Sequence, residues 1–126
     1  MTIEAFGSDR VHGFAQAVRL GQLLFVSGQV AWDEDGRVVG PGDALRQARQ
    51  AFANLRATLE SGGSSLDRVG KITMFATSPD HLGPLREARH ELFGPVGHYP
   101  ASTFVVVSGL ASPDLLVEIE AIALVE

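Results

Sequence analysis

Apolar positions along this chain switch between a two-residue and a helical period, and each switch marks an element. Residues 15–20 and 23–30 are apolar-rich and separated by Gly21-Gln22, the composition of a hairpin. Asp33-Glu34-Asp35-Gly36 has the make-up of a turn, and Arg37-Val38-Val39 after it reads as a short strand. From Asp43 the period becomes helical, with Leu45, Ala48, Phe52, Leu55 and Leu59 on one stripe. Asp43 suits the N-cap, and Gly62-Gly63 is a stop. Arg46, Arg49 and Arg56 fall on the polar side. Residues 69–76 form another strand. Ser78 as cap and Pro79 in the first turn open a second helix, which carries Leu82, Leu85, Ala88, Leu92 and Phe93 on its stripe. Gly94-Pro95 ends it. Residues 103–107 are a strand apolar on both faces.

The last strand, 115–124, follows Ser112-Pro113-Asp114 and holds two carboxylates in an apolar run. Strand side chains alternate between faces. Val117, Ile119, Ala121 and Ala123 share one face; Leu116, Glu118, Glu120, Ile122 and Leu124 share the other. Two readings stand. In one, this is an edge strand with solvated glutamates. In the other, the carboxylates lie on a partly dry face, which raises a carboxyl pKa toward the range of a general acid or base.

Strands alternating with helices predict an α+β fold, with two helices packed on one face of a mixed sheet. Residues 1–126 form one domain on this reading. Two helices cover one face only, and the strand at 103–107 needs cover on both. The bare face therefore predicts self-association. Composition agrees: 45% of the 126 residues are hydrophobic, and mean hydropathy is +0.14, apolar for so small a domain. The net charge of −5 argues against nucleic acid as a partner, because phosphate binding needs a basic patch. Met1-Thr2-Ile3-Glu4-Ala5 lacks the basic flank and apolar core of a signal peptide, and no apolar run reaches membrane-spanning length. A cytoplasmic location with no membrane partner is the resulting expectation.

Several kinds of site find little support. There is no cysteine, and His12, His81, His90 and His98 lack the spacing of a zinc motif, so no metal is expected. Val26-Ser27-Gly28-Gln29 is not the Gly-x-Ser-x-Gly elbow of a serine hydrolase. Ser27-Gly28 reads either as a strand end packed close to a neighbouring backbone or as a place where an open amide meets a small ligand. Gly62-Gly63-Ser64-Ser65 follows a helix and lacks a following Lys-Ser/Thr, so it is a helix stop and not a phosphate loop.

A resemblance sharpens this picture. Gln16-Ala17-Val18, Phe25-Val26-Ser27-Gly28-Gln29, Gln47 with Asn54-Leu55, Gly63-Ser64-Ser65-Leu66, Pro100-Ala101-Ser102-Thr103 and 117–123 together resemble the Rid (YjgF, reactive intermediate deaminase) family. The likeness covers nearly the whole chain. It implies a chorismate-mutase-like fold, a homotrimer whose sheets face the trimer core, and ligand pockets in the clefts between subunits. It implies no cofactor. The activity it implies is hydrolysis of enamines and imines such as 2-aminoacrylate. In that family a glutamate on the last strand handles water, and Glu118 stands in its place. An arginine in a Pro-Ala-Arg-Ser motif clamps the substrate carboxylate, and Ser102 stands there instead. The family's Tyr-Ser before Gln-Ala-Val is Phe14-Ala15.

An arginine–carboxylate clamp is worth about 1.5–3 kcal/mol, and a hydroxyl cannot replace its charge or its fork. A small α-imino acid should bind about tenfold to a hundredfold more weakly without it. Arg86 is the candidate replacement cation, with Arg89 behind it. His98 can donate a proton or bind an anion. Phe14 and Phe104 make the expected pocket more apolar. The leading reading is a RidA-like deaminase acting on a small metabolite other than plain 2-aminoacrylate. Its water is activated by Glu118, and its substrate is held near Ser27, Gly28, Phe14, Arg86, Ser102, Phe104 and His98. The alternative is a non-catalytic trimer that binds a metabolite. Ribonuclease activity, attributed to some relatives, is opposed by the acidic charge.

Overall fold

The computed structural model describes residues 3–125. Its strands are β1 (Ile3–Phe6), β2 (Ala17–Leu20), β3 (Leu23–Gln29), β4 (Val69–Ala76), β5 (Ala101–Val106) and β6 (Val117–Leu124), and its helices are α1 (Ala44–Ser61) and α2 (Leu82–Phe93). The sheet order is β1-β2-β3-β6-β4-β5. Only β4 and β5 run parallel, and α2 connects them; the other neighbours are antiparallel. The α+β architecture follows the hydrophobic pattern.

Local chemistry sets the ends of α1. The Asp43 carboxylate accepts a hydrogen bond from the Arg46 amide at 3.0 Å, and Gly62 caps the other end. Gln47, Ala48, Ala51, Phe52, Leu55 and Leu59 turn inward. From α2 come Leu85, Ala88 and Phe93. Phe93 meets Phe52 edge to face, with centroids 6.3 Å apart. Val117, Ile119, Ala121 and Ala123 of β6 are buried under the helices, as the alternation requires.

Two local expectations are corrected, and one strand is added. Arg37-Val38-Val39 is no strand; Val38 makes only an isolated bridge to Trp32, because the segment is a loop tied to the Asp33 turn. Ser78 caps a 3-10 turn at Pro79–His81, accepting from the Asp80 amide, and α2 starts only at Leu82. β1 was not anticipated. It is an edge strand with three of its four residues exposed, so it carries no burial pattern to read.

The second face of the sheet has no helix over it. Cross-strand partners share a face. Register pairs Leu23 with Leu124, Phe25 with Ile122, Leu20 with Leu23 and Phe75 with Glu118. Val105 lies beside Phe75. Leu20, Leu23, Phe25, Val105, Ile122 and Leu124 are all large, apolar and exposed. Glu118 and Glu120 lie on this same face.

Candidate functional site

Glu118 sits where the β3–β6 ladder breaks. Val26 pairs with Ala121 and Gln29 with Ile119, and the register shifts between them, so Ser27 and Gly28 form a bulge. The bulge places Gly28 against the glutamate: a Cβ on Gly28 would lie 2.0 Å from Oε2 of Glu118. Glycine leaves the carboxylate the space that a Cβ would take. Ser27 holds the bulge in place. Its hydroxyl donates to the Ala15 carbonyl at 2.6 Å, and its amide donates to the Gln16 carbonyl at 2.8 Å. Gln29, which is buried, donates to Ser27 O and to Gln16 Oε1.

Glu118 is half-buried and, among the described residues, accepts no hydrogen bond. Burial pushes its carboxyl above the usual glutamate range, and the neighbouring charge of Glu120 adds to the rise. A carboxylate freed from partners and partly desolvated is a competent proton acceptor.

Beside this corner opens a groove of about 650 Å³ lined by Phe14, Gln16, Gly28, Trp32, Gln50 and Asn54, among others. Phe14 is exposed and meets the His12 ring edge-on. Asn54 donates to the carbonyls of Val30 and Trp32 at 2.8 and 2.9 Å and so fixes the groove's outer loop.

The other candidate residues gather elsewhere. A second groove, about 570 Å³, lies between α2 and the free edge of β5 and is lined by Arg86, Glu87, Arg89, His90, Tyr99, Pro100 and Ser102. Ser102 pairs with Ile72, a core residue, so it points to the helix side of the sheet, opposite Glu118. Its Oγ accepts a hydrogen bond from Nη1 of Arg89 at 2.9 Å. Arg89, placed behind Arg86 in the sequence reading, is therefore the arginine in contact with Ser102. Phe104 also faces the helices and packs against the core. His98 lies outside both grooves. It is exposed, and its Nε2 meets the Val69 carbonyl at 3.4 Å. Tyr99 and His90 were not singled out. Their rings stack 5.6 Å apart, and the Tyr99 hydroxyl lies 2.6 Å from His90 Nδ1. Nine positions separate them, so no local signal links the two. Among the described residues no group of three His, Asp or Glu is placed to hold a metal ion. Likewise no described helix is long and apolar enough to cross a membrane.

Residues 6–125 match the model of the endoribonuclease L-PSP family. The chain belongs to this family, the Rid (YjgF/RidA) family. YjgH of Escherichia coli, a RutC family protein, is 39% identical over 109 residues, which span 86% of this chain and 81% of YjgH. The Rid family protein YyfA from Yersinia pestis superposes with a TM-score of 0.90 at 29% identity, over 98% of this chain and all of that one, 100%. RidA from an Antarctic Psychrobacter gives 0.82 at 31% identity, over 89% and 88% of the two chains. The two helices on a six-stranded mixed sheet are thus the Rid fold.

Proposed function

We propose that this protein is a RidA-type imine deaminase that works as a homotrimer on a small metabolite other than plain 2-aminoacrylate. The observation that carries the reading is the Glu118 corner: a half-buried carboxylate with a raised pKa, seated against a glycine bulge. Family membership supports it, and so does the name RidA borne by a structural neighbour.

The chemistry is simple. Glu118 takes a proton from water as the oxygen attacks the imine carbon. The imine nitrogen gains a proton from solvent, giving a carbinolamine. The carbon–nitrogen bond then breaks, ammonia leaves, the carbinolamine hydroxyl releases its proton to solvent, and a keto product remains. Glu118 returns its proton to the departing nitrogen, so the carboxylate is regenerated. A raised pKa suits both halves of this cycle, since the group must accept and release a proton near neutral pH.

The substrate's anionic end belongs to the α2–β5 groove. Within one chain that groove and Glu118 are on opposite faces of the sheet. Packing the bare sheet faces together would let one copy's β5 edge meet the next copy's Glu118 corner. The site is then composite, and a lone protomer holds only its halves.

One observation favours a second reading. Ser102 carries no charge of its own, so the groove can serve as a metabolite-binding site with Glu118 as a mere acceptor. Ammonia release from imines generated in situ from several amino acids separates the two. The deaminase reading expects release by the wild-type protein and its loss in Glu118→Gln. Release at wild-type rate by Glu118→Gln would sink the proposed role. Activity that appears only in Ser102→Arg would favour the binding reading.

A further inference from the structure

We infer that the α2–β5 groove is built to hold two carboxylates, so that the ligand is a dicarboxylate and not a monocarboxylate. The inference deepens the reading above and rests on it only for the ligand's reacting end.

Arg86, Arg89 and His90 stand three and four residues apart on α2, so their side chains project from one face. That face borders Ser102 at the edge of the sheet. Arg86 and Arg89 form no ion pair among the described residues. By contrast, Arg49 is engaged by Glu91 at 2.6 Å and by Glu87 at 3.4 Å, and Arg56 by Glu60 at 3.4 Å. Glu87, the one carboxylate lining the groove, is thus drawn toward α1. Two of the three arginines of α1 are thus paired, whereas neither arginine of the groove has an ion-pair partner among the described residues.

The groove is also organised for a ligand. An arginine has five N–H donors in a rigid fork, and Arg89 spends one on Ser102. The tether orients the guanidinium and leaves its remaining donors open. Because Ser102 accepts that bond, its own O–H stays available as a further donor. Tyr99 is held by its contact with His90 and presents a ring to the groove, where Pro100 continues the apolar wall. A carbon chain can lie on that wall while its charged ends reach the arginines. Each fork matches one carboxylate in bidentate fashion. Two forks one helical turn apart match two carboxylates.

Calorimetric titration of the full-length protein with unreactive keto acids tests this. The probes are 2-oxobutyrate, with one carboxylate, 2-oxoglutarate, with two, and inorganic phosphate. The expected result is at least about tenfold tighter binding of 2-oxoglutarate than of 2-oxobutyrate. Arg86→Ala should erase that preference, and Arg89→Ala should weaken both keto acids. Arg89→Lys keeps the charge without the fork and should weaken both too, which guards against a folding defect in the alanine variant. Glu118→Gln should leave the preference in place. Equal affinity for the two keto acids, or a preference that survives Arg86→Ala, would overturn the inference. So would phosphate binding more tightly than 2-oxoglutarate. A clear dicarboxylate preference without imine hydrolysis would sink the deaminase reading alone. Hydrolysis without the preference would sink this one alone.

Discussion

An alanine at position 28 would place its Cβ 2.0 Å from Oε2 of Glu118, so Gly28→Ala is a direct probe of the carboxylate's seat. The glutamate would have to move, and overpacking of this kind costs about 1–3 kcal/mol. Imine hydrolysis should fall by at least about tenfold, since a misplaced catalytic group by roughly 1 Å can cost a hundredfold. Thermal unfolding should show a stability loss within that range of about 1–3 kcal/mol. The pH dependence follows from Glu118 itself. Burial raises its pKa above 4.5, so folding favours the protonated form. That contribution is fully present below the unfolded value of 4.5 and is lost as pH rises through the folded one. Thermal melts should therefore show Glu118→Gln gaining on the wild type as pH rises through that window. The acid limb of the rate profile should sit above the ordinary glutamate range. Strand alternation alone placed Glu118 on one face with Leu116, Glu120, Ile122 and Leu124. It could not reveal Gly28 as its neighbour, since ninety positions separate them and only the β3–β6 register brings them together.

Elements are held in register by buried polar groups that hydrophobic pattern cannot detect. Gln47 is buried on α1. Its side chain donates to the carbonyls of Asp114 and Gly40 and accepts from the Leu116 amide at 2.9 Å. Those bonds pin the start of β6 two residues before Glu118. Gln47→Leu would strand three backbone groups, at about 1–3 kcal/mol for each that water cannot reach. Urea unfolding should show a loss of about 3 kcal/mol, with hydrolysis reduced as β6 loosens. The ends of α1 and the long strands were legible because caps and periodicity are local. β1 was not, because an exposed edge strand has no buried face. Arg89 was underrated for a related reason. Its partner Ser102 lies across a loop, and helix phase alone favours no arginine of the pair.

At the scale of the whole molecule, the face of the sheet without helices is exposed and apolar. Leu20, Leu23, Phe25, Val105, Ile122 and Leu124 form a surface that a monomer would leave wet. Phe25→Glu combined with Ile122→Glu would put two charges directly across the β3–β6 pair. Sedimentation should show the wild type as a trimer and the double variant as a monomer with its helical content retained. Hydrolysis should vanish with assembly. The expectation of self-association came from the sequence, because two helices cannot cover both sides of a sheet. The number of copies came only from family resemblance, since apolar area carries no symmetry.

The central claim is that each site joins Glu118 of one copy to the α2–β5 groove of the next. Mixing two impaired variants tests it most directly. Glu118→Gln lacks the proton acceptor and Arg89→Ala lacks the tethered guanidinium. Co-refolding them in equal amounts gives mixed trimers, in which some clefts pair an intact Glu118 with an intact Arg89. If adjacent copies share the site, hydrolysis should recover to about a quarter of the wild-type rate, the random-mixing fraction for one interface. If each site lies within a single chain, mixed trimers would stay as inactive as their parents, and the composite site would be contradicted.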